Sequence, residues 1–181
     1  MASDAIYDAV LGALTLLQVE RGSFTFNEQK IDGTMSGMLD VSEYYGGPCD
    51  PRATFSTTDV GGVISAVSAV AGLAVAAGTI SIPFQKRSNQ STFAGSSSHE
   101  KITAANGLII PVRASASQDG EASFDLEAII RSTDGLNPVT VSTGQSLSSQ
   151  SFNAHWTLGP VTVNGTTIEE VISATINYGI T

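Results

Sequence analysis

The chain has 181 residues, enough for one domain that buries most of its apolar surface without disulfides, a metal or a second core. It is 41% hydrophobic, 7% aromatic and only 14% charged, where an average globular chain is about a quarter charged, and Ser, Thr and Gly are plentiful. So few Lys and Glu leave little material for solvated helix faces, which argues against an all-α fold and for sheets with polar, uncharged outer faces; the net charge of −9 argues against general nucleic-acid binding.

The charge is unevenly spread. Residues 1–60 hold nine acidic and three basic residues, residues 61–118 one and four, and residues 119–181 seven and one. The basic excess of the middle third comes from Lys86, Arg87, Lys101 and Arg113. That is thin for a nucleic-acid footprint and suits a plain surface or contact with the acidic parts of a neighbouring subunit. The single Cys49 has no intramolecular partner, so the fold is expected not to depend on an oxidising compartment, and the residue reads as a small side chain in a turn. Met1 to Val10 carries Asp4 and Asp8 and no basic residue, unlike a secretory signal, and a cytoplasmic protein is expected. The longest apolar stretch, Val60 to Ala77, is interrupted by Ser65, Ser68 and glycines, and is too short and mild to span a bilayer.

The first segment reads as a short helix capped by Ser3, with Ile6, Val10, Leu14 and Leu17 on one stripe, followed by a strand; Leu14 to Val19 also fits a strand. Phe24 and Phe26 alternate as a strand does. The stretch of about 27–56 then reads as a long early loop, gathering Tyr44, Tyr45, Gly46, Gly47, Pro48 and Pro51. Loops of that length bind something or lie along a partner.

Thr57, Thr58 and Asp59 announce one helix over about 58–71, with Val60, Val63, Ile64, Val67 and Val70 at helical spacing and Gly72 as its stop. Gly61 and Gly62 weaken its first turn, so packing must hold it. From Thr79 the period becomes two: Ile80, Ile82 and Phe84 mark a strand that Pro83 places at an edge or a bulge. Residues 88–98 read as a flexible Ser/Asn/Gly loop.

Two long strands, 107–117 and 121–132, flank Gln118-Asp119-Gly120, and Asp-Gly between alternating runs is a strong hairpin signal. The second places Ala122, Phe124, Leu126, Ala128 and Ile130 on one face and Ser123, Asp125, Glu127 and Ile129 on the other. A strand at Val139 to Ser142, a serine-rich loop from Thr143 to Ser151, and a final hairpin of 152–163 and 166–180 about Asn164-Gly165 complete the chain. Ile168, Ile172, Ala174, Ile176, Tyr178 and Ile180 alternate, with Glu169 and Glu170 marking a bulge or irregular start. The expectation is a mainly β, single-domain antiparallel sandwich or barrel over 1–181 with one packed α-helix.

No residue pattern supports catalysis, a cofactor or a metal site. His99-Glu100 begins like a zinc-protease helix, but position 103 is Thr where a second His is required. Ser98 and Lys101 have the spacing of a nucleophile pair with no supporting motif, and chance supplies such spacing in a Ser-rich chain. His155, beside Trp156, reads as a packed or exposed strand residue before it reads as a general base. Asp125 and Glu127 share a sheet face as glycosidase carboxylates can, but alternating acids on a solvated strand are common. The glycines have neither phosphate-cradling spacing.

The order of a long early loop, one mid-chain helix and terminal hairpins, with low charge and segments such as Asn106-Gly107-Leu108-Ile109-Ile110-Pro111 and Ser115-Ala116-Ser117-Gln118-Asp119-Gly120-Glu121-Ala122, resembles the tail tube (major tail) proteins of tailed bacteriophages. The resemblance is one of texture over most of the chain and involves no defining motif. It implies a virion protein assembled in a bacterial cytoplasm, whose partners are copies of itself in and between rings and other virion proteins, with DNA only in transit and no membrane. Asp119, Glu121, Asp125 and Glu127 are then candidates to line an acidic lumen that repels the DNA backbone. Tyr44, Tyr45 and Arg52 are candidates for inter-subunit contact, aromatic and Arg side chains being common anchors; the alternative is a loop folded on its own domain. Other readings are capsid decoration, head-to-tail joining, or a carbohydrate-binding β-sandwich using Tyr44, Tyr45 and Trp156.

Overall fold

A computed structural model describes residues 5–6, 9–11, 14–16, 18–25, 28–33, 43–69, 76–86, 88, 95, 98–132, 138–147 and 154–178. The chain is mainly β, its strands pair antiparallel, and it carries one short helix; the sheet does not close into a barrel. The strands are β1 (Ala5–Ile6), β2 (Ala9–Leu11), β3 (Leu14–Leu16), β4 (Val19–Thr25), β5 (Glu28–Gly33), β6 (Glu43–Cys49) and β7 (Arg52–Thr57). After helix α1 (Val60–Ala69) come β8 (Ala76–Gln85), β9 (His99–Ser117), β10 (Ser123–Arg131), β11 (Val139–Gln145), β12 (Val161–Val163), β13 (Thr166–Ile168) and β14 (Ser173–Asn177).

The main sheet runs β3-β2-β8-β9-β10-β7-β4, with β1 on β8 and both β11 and β14 on β9. At 19 residues β9 is long enough to serve two neighbours on each side. One flank takes β8 and then β14, the other β11 and then β10. The buried cluster joins Ile80 and Ile82 of β8, Ile109 of β9, Leu126 and Ile130 of β10, Phe55 of β7 and Val63 of α1. The four strands that supply it are consecutive in the sheet, and α1 packs on the face they share. Burial strictly alternates along β10, which follows from a period of two with one face on the core.

Several expectations are corrected. The N-terminal segment is not helical at its described residues: β2 pairs with β3 and with β8, Leu11 opposite Ile80, because an apolar run beside an incomplete sheet satisfies its backbone groups by extending the ladder. The described residues of the early loop are mostly strand: β5 and β6 form their own two-stranded sheet, and β7 is an interior strand between β10 and β4. Cys49 accordingly ends β6 rather than sitting in a turn. Pro83 is not on an edge, since β8 has β9 on one side and β2 and β1 on the other. It falls between the β2 pairing at Ile80–Ser81 and the β1 pairing at Phe84–Gln85. The irregularity in β8 lies at Gly78/Ile80 instead.

Helix α1 is found where its caps place it. Asp59, buried, accepts the Gly62 N–H on Oδ1 at 3.1 Å, and the Asp59 N–H donates to Thr57 Oγ1 at 3.0 Å. Of the two glycines of the first turn, Gly62 has a packing reason, while a side chain at Gly61 would make only ordinary contact. A Cβ on Gly62 would stand 2.8 Å from the Asp59 carboxylate, and one on Gly61 would meet the Trp156 indole at 3.6 Å. Val60 and Val63 are buried, but Ile64 lies half in solvent. The Gly72 stop and most of the 88–98 loop lie outside the described residues.

The C-terminal hairpin is shorter than its alternation implies. It pairs only Val161–Val163 with Thr166–Ile168, about a turn in which Asn164 and Gly165 both have positive φ, 48° and 81°. Residues 154–160 are not strand. Glu170, at φ 59°, breaks the run where two acidic residues interrupt the pattern, and β14 then joins β9.

Candidate functional site

Three of the residues singled out in the sequence, Arg52, Asp125 and Glu127, meet on the outer face of β14-β9-β10-β7-β4. Register places Thr175 beside Ser115, Ser115 beside Ser123, Glu127 beside Thr54, and Thr54 beside Ser23. The face is a ladder of hydroxyls: Ser23 and Thr54 hydrogen-bond at 2.7 Å and Ser115 and Ser123 at 3.0 Å. Ser23, Thr54, Ser56, Asp125 and Glu127 help line a shallow depression of about 410 Å³.

Its charges cancel. Arg113 Nη2 lies 2.6 Å from Asp125, and Arg52 Nη1 lies 2.9 Å from Glu127. Arg52 also reaches Asp50 at 3.2 Å, and Arg131 holds the other oxygen of Asp50 at 3.1 Å. Hydrogen bonds first to Glu127 and then to Asp50 raise the Arg52 pKa above its ordinary value, so this group stays a cation. Three arginines thus face three carboxylates, because alternate positions of neighbouring strands put side chains of opposite sign next to one another.

Two of the four lumen candidates, Asp125 and Glu127, are therefore on this face and ion-paired. Asp119 and Glu121 sit instead at the exposed β9–β10 turn, where Glu121 lies 3.0 Å from His155 Nδ1. Of the contact candidates, Arg52 opens β7 and joins Glu127. Tyr44 and Tyr45 pair with Asp32 and Ile31 within the β5–β6 sheet; their side chains lie outside the described residues. Sequence reasoning missed that Arg52 and Glu127, 75 residues apart, form one pair, because the segment that holds Arg52 read as a loop.

The remaining candidates for chemistry are dispersed. His99 is buried and its Nδ1 accepts the Lys86 backbone N–H at 3.1 Å, while Ser98 is exposed. Among the described residues no group of three or more His, Cys, Asp or Glu is placed to hold a metal ion, and no helix is long and apolar enough to cross a membrane.

A second feature lay unseen in the sequence. The β12–β13 hairpin forms an arm rooted on the β9–β10 turn by backbone bonds: Leu158 N–H to Ser117 O at 3.0 Å, Gln118 N–H to Ile172 O at 3.0 Å, and Ala122 N–H to Trp156 O at 2.7 Å. Its apolar side chains point into solvent, Val163 being 56% exposed, Ile168 47% and Ile172 70%. In the sequence alone, Ile168 and Ile172 read as part of one long final strand, 166–180. The Glu169-Glu170 interruption was the signal that the hairpin leaves the sheet.

No family model matches the chain, and no curated protein or solved structure matches it.

Proposed function

We propose that this chain is a structural subunit that assembles with copies of itself into rings stacked as a tube of the phage-tail kind, with DNA passing through the channel. The supporting observation is the hydroxyl-lined, charge-balanced face of β14-β9-β10-β7-β4. A surface whose described arginine side chains, Arg52, Arg113 and Arg131, are each engaged by a carboxylate offers a phosphate backbone little net attraction, so a polyanion slides past it with little counterion release. Asp119 and Glu121 add negative charge at one end. The lining on this reading is neutral along the strands and acidic only at the turn. Among the described residues β4 pairs only with β7 and β14 only with β9, so both strands offer an edge that a neighbour's strand can continue.

The half-exposed Trp156 favours a second reading, a carbohydrate-binding β-sandwich, in which its indole is a stacking surface. Negative-stain electron microscopy and sedimentation velocity over a concentration series separate the two. Rings or hollow tubes are expected; a monomer that persists at high concentration and binds sugars overturns the assembly reading.

A further inference from the structure

We propose that the β12–β13 arm of one copy seats in the Leu108–Ile129–Arg131 groove of the next, a head-to-tail contact between unlike surfaces. The inference rests on the assembly reading above and names the surfaces that carry it. A two-stranded hairpin is marginal in water by itself, and this one turns Val163, Ile168 and Ile172 outward, with Glu169 and Glu170 beside them. Such an arm needs a cover that is apolar and carries positive charge.

The chain supplies one. A groove of about 480 Å³ is lined by Gly78, Asn106, Gly107, Leu108, Ile129 and Arg131, on β8, β9 and the end of β10. Leu108 is a large apolar side chain left exposed, and the Arg131 side chain is 69% exposed. Arg131 uses Nη1 on Asp50 and keeps further N–H donors for a second carboxylate. The apolar floor, with the Arg131 donors that Asp50 leaves over, complements the apolar, acidic arm.

Geometry decides the partner. The arm is rooted at Ser117, Gln118 and Ala122, whereas the groove lies at residues 106–108 and 129–131 of the same two strands. About ten residues of extended chain separate them, roughly 30 Å at the rise of a β-strand, and the backbone bonds at its root keep the arm from folding back. Arm against arm would bring Glu169 and Glu170 of both copies together. A second copy displaced along the β9–β10 hairpin puts the arm in the groove, and a contact between unlike surfaces repeats into rings or filaments.

The test uses the full chain. I168S/I172S and E169K/E170K alter the arm, R131E alters the groove, and circular dichroism with thermal melts checks that each variant folds like the parent. Sedimentation velocity should show each weakening association by about tenfold or more, and an equimolar mixture of E169K/E170K with R131E should regain assembly, since each interface is then complementary again. A parent chain that assembles while all three variants assemble equally well overturns the arm–groove contact and leaves the assembly reading standing. A parent chain that is monomeric at every concentration overturns both.

Discussion

Replacing Gly107 with Ala tests how tightly the sheet closes on its core. Gly107 pairs with Gly78 across β8–β9 and with Ile130 across β9–β10. A Cβ at this position would lie 2.0 Å from Cδ1 and 2.6 Å from Cγ1 of Ile80, a residue 1% exposed. Both distances are far inside van der Waals contact, and Ile80 is walled in by the core, so it has no open space to turn into. Overpacking of this kind costs about 1–3 kcal/mol. Loss of glycine's backbone entropy in the unfolded chain offsets about 0.5–1 kcal/mol, leaving a net destabilisation of about 1 kcal/mol at mid-range. The assay is urea unfolding, with a lower midpoint and an unchanged slope expected. Removing Cδ1 should relieve part of the clash, so G107A/I80V should be less destabilised than the sum of G107A and I80V, the latter alone costing about 0.5–1.5 kcal/mol. A G107A protein as stable as the parent, or strict additivity in the cycle, would refute the packing argument.

Asp59→Ala removes the cap of α1 and its bond to the Gly62 N–H, and should lower stability by about 1–2 kcal/mol, read by thermal melting; Asp59→Ser should recover part of the loss. Leu126→Ala, at a site 1% exposed, should cost about 2–5 kcal/mol, whereas Ile172→Ala, at a site 70% exposed, should change monomer stability by less than about 0.5 kcal/mol; equal losses in urea unfolding would contradict the placement of the arm outside the core.

Much of the core was legible because it depends on periodicity. The alternation of Phe124, Leu126, Ala128 and Ile130 is a local property, and a strand with one apolar face has one way to bury it. The helix was legible for a similar reason, since Thr57 to Asp59 satisfy its first N–H groups from within three residues. The early segment misled because Tyr44, Gly46, Gly47 and Pro48 carry the composition of a loop, while pairing of β5 with β6 supplies backbone bonds that composition does not register. At the candidate face the individual carboxylates were visible, and their neutralisation was not: Arg52 reaches Glu127 only once β7 lies against β10.

Side-chain spacing and short-range capping made a mainly β chain, the helix near residue 60, the long β9–β10 hairpin and the inward face of β10 legible. Folding was needed to show that the described N-terminal residues pair as strands, that acidic residues on the outer face are matched by arginines from neighbouring strands, and that the apolar residues of the last hairpin face solvent. Each of those depends on which backbone edges are still unpaired and which strands become neighbours, and such contacts join residues far apart in the chain.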